Sequence, residues 1–148
     1  MIKTQLTRED ALRIMDLGRA LHSESRFKDE PFDDEKCWAV LDSTLRYPDK
    51  RFIAYDDQFR GFIIMSMNEE FFNHVKWASD LSLYVAPEFR GSSLVIRLLD
   101  SAEKWAKENG ARDITIFHNT GIDTNKAPKL FNKLGFQMKG YIFAKELT

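Results

Sequence analysis

Residues Leu81–Leu99 read LSLYVAPEFRGSSLVIRLL, and the two halves of this stretch follow different periods. Leu81, Leu83 and Val85 alternate with Ser82 and Tyr84, the period-two pattern of a strand with one face buried. Asp80 shares the parity of Ser82 and Tyr84, so strict alternation places these three on one face. Pro87 ends the strand. Beyond Gly91, apolar Leu94, Val95, Leu98, Leu99, Ala102, Trp105 and Ala106 recur at three- and four-residue steps among Arg97, Asp100, Glu103 and Lys104. That spacing predicts an amphipathic helix from about Ser92. The first-turn amides of a helix lack intrahelical acceptors and point, with the positive end of its dipole, into the preceding loop. Such a junction either binds an anion or satisfies its amides with Ser92, Ser93 and water.

The remaining elements follow from local patterns. Met1 to Gln5 reads as a short strand. Thr7 caps a helix with Ala11, Leu12, Ile14, Met15, Gly18 and Leu21 on its inner face, Asp10 taking the place of the usual capping-box Glu. Asp33 begins a second helix, preceded by Phe32. Phe52–Tyr55 and Gly61–Met67 flank Asp56-Asp57-Gln58-Phe59 as a hairpin, and a polar turn leads to the strand at Ala78–Val85. Asp113–Phe117 reads as a strand. Ala127, Leu130, Phe131 and Leu134 form one face of a short helix, with Gly135 suited to a left-handed stop. Pro128 fits the first turn, which favours Asn125 over Thr124 as its cap. Gln137–Leu147 reads as a last strand.

Two separated segments carry a family resemblance. Arg90-Gly91-Ser92-Ser93-Leu94-Val95 resembles the acetyl-CoA loop of GNAT N-acetyltransferases, Arg or Gln-x-x-Gly-x-Gly or Ala, with Ser93 and Val95 at the two small positions. Ala127-Pro128-Lys129-Leu130-Phe131-Asn132-Lys133-Leu134-Gly135-Phe136 is similar to the family's later Ala-x-x-Leu-Tyr-x-x-x-Gly-Phe segment. His22-Ser23-Glu24-Ser25-Arg26-Phe27 and Asp80-Leu81 leading into Tyr84-Val85-Ala86-Pro87 look like a group of small, phage-associated GNAT proteins. The resemblance implies a GNAT fold of the α+β class: an α/β three-layer sandwich with a mixed central sheet of six to seven strands and about four helices. It also implies acetyl-CoA as co-substrate. The amides from Gly91 to Ile96, Leu94 included, would cradle its pyrophosphate with Arg90. Leu83, Tyr84 and Val85 would pair with its pantetheine arm, Thr124 or Asn125 would bond that arm, and Phe131 would lie beside the thioester.

Composition is consistent with one enzyme-sized domain of 148 residues, 43% hydrophobic and 30% charged. A net charge of -1 disfavours nucleic acid as a partner, since such binding rests on neutralising phosphates with Lys and Arg. Cys37 is the single cysteine and reads as a packed thiol. His22, His74 and His118 show no metal-ligand spacing, so no metal is expected. No apolar run approaches membrane-spanning length, which makes a cytoplasmic protein with no membrane partner the expectation. Whether the chain is a monomer or a homodimer stays open.

Acetyl transfer to an amine fixes what the site must supply. A lysine-like amine with pKa near 10.4 costs about 4.6 kcal/mol to present neutral at pH 7. Protonating a leaving thiol with pKa near 8.5 is worth roughly 2 kcal/mol, so a base matters more than an acid. Phe131 stands where the family has a tyrosine acid, leaving Tyr84 and Tyr141 as the hydroxyl candidates. For the base the candidates are Asp80, Glu24 and the pair Glu69 and Glu70. His22, Glu24 and Phe27 fall where the family lines its acceptor pocket. Asp29, Glu30, Asp33, Asp34 and Glu35 cluster beside it, an acidic rim for a cationic acceptor or simply a soluble loop and helix start. The acceptor is expected to be a small-molecule or protein amine. Ser93, Val95, Thr124 and Phe131 together motivate the alternative of a non-catalytic CoA-binding or protein-interaction module on the same fold.

Overall fold

The computed structural model describes residues 1–148. Strand β1 (Ile2–Lys3) leads into helix α1 (Arg8–Glu24), where the Thr7 side chain accepts the Asp10 amide at 3.0 Å. The Asp10 carboxylate turns away from the cap and instead takes Lys3 Nζ and the Tyr55 hydroxyl, both at 2.6 Å. Helix α2 (Asp34–Arg46) is capped by Asp33, whose Oδ1 accepts the Lys36 amide at 3.1 Å. Strands β2 (Arg51–Asp56) and β3 (Gly61–Glu69) form the expected hairpin, its turn carrying Phe59 at φ 56°. Strand β4 (Lys76–Val85), a short 3-10 turn at Pro87–Phe89, helix α3 (Leu94–Glu108), strand β5 (Ala111–Thr115) and helix α4 (Ala127–Lys133) complete the order.

The sheet runs β1-β2-β3-β4-β5, antiparallel except for the parallel β4–β5 pair. Alternation along β2 and β3 divides the core between its faces. Ile53, Tyr55, Phe62 and Ile64 pack with Ile14, Met15 and Leu41 under α1 and α2. Ala54, Ile63 and Met65 pack with Leu94, Leu98 and Ala102 under α3, where Phe131 of α4 also rests. This is the expected three-layer α+β sandwich with a mixed sheet.

The sheet has five strands rather than six to seven, because Gln137–Leu147 forms none. Its apolar residues fall on both parities, Met138 and Ile142 on one, Tyr141 and Phe143 on the other, so no single face is selected for burial. Helix α3 starts at Leu94, with Ser92 Oγ accepting the Leu94 amide at 3.3 Å. Helix α4 is entered through Lys126 rather than Asn125 or Thr124. The Asp123 carbonyl accepts the Lys126 and Ala127 amides at 3.0 and 3.3 Å, doing through the backbone what a capping side chain would do.

The ladder between β3 and β4 is unusual at two points. Gly61 lies opposite Val85, and a Cβ there would sit 2.7 Å from the Tyr84 carbonyl oxygen, so only glycine permits this approach. Further along, Ile64 faces Ser82 but Met65 faces Asp80, which leaves Leu81 as the extra residue of a β-bulge.

Candidate active-site cleft

Strand β4 pairs with β5 only as far as Ser79 and Thr115, then continues alone to Val85. The strands part, and a cleft of about 890 Å³ passes through the gap from the α3 face to the α1 and α2 face. Asp80 stands at the fork. Its Oδ1 accepts the Phe117 amide at 2.8 Å, holding the strands together just where their backbone ladder stops. Burial pushes its carboxyl up to about 6, while the Phe117 amide and its own amide pull the other way.

The bulge overturns the expectation that Asp80 shares a face with Ser82 and Tyr84. Opposite Met65, Asp80 belongs to the α3 face, whereas Ser82 and Tyr84, opposite Ile64 and Phe62, belong to the α1 and α2 face. All three still line the cleft, because it crosses the sheet.

Glu24, Tyr84 and Arg90 are joined. Arg90 donates Nη1 and Nη2 to the two Glu24 oxygens at 2.5 and 2.9 Å and Nε to the Val85 carbonyl at 2.9 Å. The Tyr84 hydroxyl donates to Glu24 Oε2 at 3.1 Å, with the Arg90 guanidinium 5.6 Å from its ring centroid. The Arg90 bond, outweighing partial burial, holds the Glu24 carboxyl below its usual range. Burial and the Glu24 bond push the Tyr84 phenol up to about 12. Glu24 is thus a bound carboxylate, less suited to accept a proton than Asp80. Glu69 and Glu70 lie outside the cleft, Glu70 paired with Arg112 at 2.9 Å.

On the α3 side, Leu83, Val85, Arg90, Gly91, Ser92, Val95 and Phe131 line the cleft. The amides of Gly91, Ser93, Val95 and Ile96 have no acceptor within the protein, whereas Ser92 donates to the Phe89 carbonyl and Leu94 to Ser92. The expected cradle therefore narrows to four amides, and the Leu94 side chain is buried in the α3 core. The side chains of Ser93 and Ile96 lie outside the lining. So do the exposed Thr124 and Asn125, while their neighbours Asp123 and Lys126 take part in it. Tyr141, 79% exposed, is not brought to the cleft, since the strand that was to carry it does not form.

His22 and Phe27 line the other side. His22 packs edge-on against Phe32 with its Nε2 buried and unpartnered. Cys37 also faces the cleft, its thiol pushed up by burial and by Asp34 and Asp33. Of the expected acidic rim only Asp33, the cap of α2, lines the cleft. Asp34 pairs with Arg19 at 2.9 Å, and Asp29, Glu30 and Glu35 lie outside the lining.

Sequence reasoning passed over Arg26. Its amide donates to the Thr120 carbonyl at 2.8 Å and its Nε to the Asn119 carbonyl at 2.6 Å, tying the segment after α1 to the loop after β5. The partners are backbone carbonyls far along the chain, which no side-chain motif encodes. The loop that Arg26 ties down turns through Gly121 at φ +80° and Asp123 at φ +48°.

The fold has counterparts in known proteins. Residues 14–136 match the acetyltransferase (GNAT) family. The chain belongs to the GNAT family. No curated protein sequence matches it. Among solved structures, this GNAT chain superposes on AAC(6')-Iy bound to the bisubstrate analog CoA-S-monomethyl-acetylneamine with a TM-score of 0.74 and 19% identity, covering 100% of this chain and 98% of that one. Glucosamine-6-phosphate N-acetyltransferase from Arabidopsis thaliana gives 0.73 at 15% identity, with 100% and 99% covered. Ribosomal-protein-alanine N-acetyltransferase from Brucella melitensis biovar Abortus 2308 gives 0.71 at 16%, with 99% of each chain covered. At these identities the likeness is one of fold. The acyl donor of GNAT acetyltransferases is acetyl-CoA. No helix here is long and apolar enough to cross a membrane.

Proposed function

We propose that this protein transfers an acetyl group from acetyl-CoA directly to a primary amine, with Asp80 as general base. The observation that carries this reading is the place of Asp80: a half-buried carboxyl raised to about 6, at the fork of β4 and β5, lining a cleft that opens to both faces. Near neutral pH such a group is ionised yet basic enough to take a proton from an amine entering the cleft.

The loop fits a pyrophosphate. The amides of Gly91, Ser93, Val95 and Ile96 are unclaimed, and Gly91 is in a positive-φ conformation with open space where a Cβ would go. These amides would hold the pyrophosphate and the β4 backbone from Leu83 to Val85 the pantetheine arm. When bound, acetyl-CoA supplies an activated acetyl thioester. A β4 amide donated to the carbonyl oxygen would stabilise developing charge by about 2.7–4 kcal/mol, the usual worth of one preorganised donor. Asp80 then receives the amine proton, and the sulfur departs as a thiolate. No tyrosine acid is required, because protonating that thiolate is worth only roughly 2 kcal/mol.

Acetyl-CoA is expected to raise the melting temperature, and Asp80→Asn to keep that rise while losing turnover. Absence of stabilisation by both acetyl-CoA and CoA would overturn the reading. A second reading, binding without transfer, draws on the missing hydroxyl of Phe131 and the engagement of Tyr84 with Glu24. It requires stabilisation by acetyl-CoA with no thiol release across a broad amine panel.

A further inference from the structure

We infer that the acceptor is a monoamine carried on an apolar body of aryl or long-alkyl type, seated between α1, α2 and the sheet; this rests on the transferase reading. If the free amides of the α3 side take the phosphates, the acceptor is left the opposite side of the cleft. There the walls are Ile14, Met15, Phe32, Val40, Phe62 and Ile64, several of them core residues that the cleft reaches from outside. Carboxylates are scarce on this side. Asp33 lines it while capping α2 through Oδ1, Asp34 pairs with Arg19, and the side's cation is Lys36.

A single ammonium group can be met by Asp80 at the fork. A second one on the same molecule would meet mostly hydrocarbon walls, where the charge of Asp33 is offset by that of Lys36, so its desolvation is poorly compensated. Methylene and aryl groups, by contrast, gain from leaving water, at about fourfold in affinity per buried CH2. Polyamines and short hydroxyamines are therefore poor occupants, despite the acidic residues of the neighbouring loop. Gly18 of α1 helps make the room, since a Cβ there would come no closer than 3.8 Å to Phe32.

The test is calorimetry on the CoA-loaded full chain with propylamine, hexylamine, 2-phenylethylamine and spermidine, followed by thiol release with acetyl-CoA. Hexylamine and 2-phenylethylamine should bind at least tenfold more tightly than propylamine and spermidine. Gly18→Leu, which fills the space beside Phe32, should remove that preference while CoA still raises the melting temperature. A flat series, or spermidine bound as tightly as hexylamine, overturns the inference, and this arm needs only the unsubstituted protein. Selective binding of the apolar amines without thiol release upholds the inference and overturns the transferase reading. Thiol release with spermidine favoured does the reverse.

Discussion

Two carboxylates, Asp80 in the lining of the cleft and Glu24 just outside it, are pushed in opposite directions by their surroundings. Asp80 is raised from 3.8 to about 6, so the folded state holds its proton more tightly than the unfolded chain does. Its contribution to stability is favourable at low pH and is lost as pH climbs from about 4 through 6. Asp80→Asn should therefore stabilise the protein at pH 7, by about 3 kcal/mol at most, while lowering kcat by 10²–10⁴-fold, the usual worth of a general base; paired urea melts and thiol-release assays read both. The kcat/KM profile of the unsubstituted protein should fall on the acid side with a midpoint near pH 6. Glu24 behaves in the opposite sense. Held below its usual 4.5, chiefly by Arg90, it stabilises above that value and the benefit is lost as pH falls through the folded value. Glu24→Gln should cost about 1 kcal/mol at pH 7, the upper range for a partly exposed pair, and nothing once pH is low enough to protonate Glu24 in the folded protein. A melting difference that persists unchanged to pH 2 would contradict this.

Strand β4 holds its place through an absence on β3. Replacing Gly61 by Ala forces a methyl to within 2.7 Å of the Tyr84 carbonyl, so β3 and β4 must separate beside the cleft. A loss of about 1–3 kcal/mol is expected, with a drop in melting temperature and weaker stabilisation by CoA. The elements legible in the sequence are those whose causes are local: the alternation of β4, the stripe of α3, the Thr7 and Asp33 caps, and Gly135 at φ +89° after α4. The bulge at Leu81 was hidden because it is a property of register against β3, and the residues of β4 alone describe an unbroken alternation. The fork likewise depends on a neighbouring strand, its cause being that β5 stops at Thr115 while β4 does not. Gln137–Leu147 failed the other way, with enough strand-forming residues to suggest a strand and no single face to bury.

Across the whole molecule, rigidity is unevenly distributed. The β3–β4 ladder lies between two packed helical layers, whereas residues 137–148 are exposed and form no backbone hydrogen bonds. Amide hydrogen exchange should be slowest along β3 and fastest in that C-terminal segment, and protection of Tyr141 to Leu147 comparable to β3 would contradict this arrangement. The end of α1 and the segment after it reach both lips of the cleft, through Glu24 to Arg90 and through Arg26 to Thr120 and Asn119. That clasp has a thermodynamic consequence. A phosphate that draws Arg90 from Glu24 loosens the same segment against which an acceptor would rest, so the two occupants of the cleft are linked. Linkage is reciprocal, so whatever factor the donor imposes on acceptor affinity, the acceptor returns on the donor. Closing that cycle by titrating in both orders, in the native chain and in Glu24→Gln, would measure the clasp as a coupling energy.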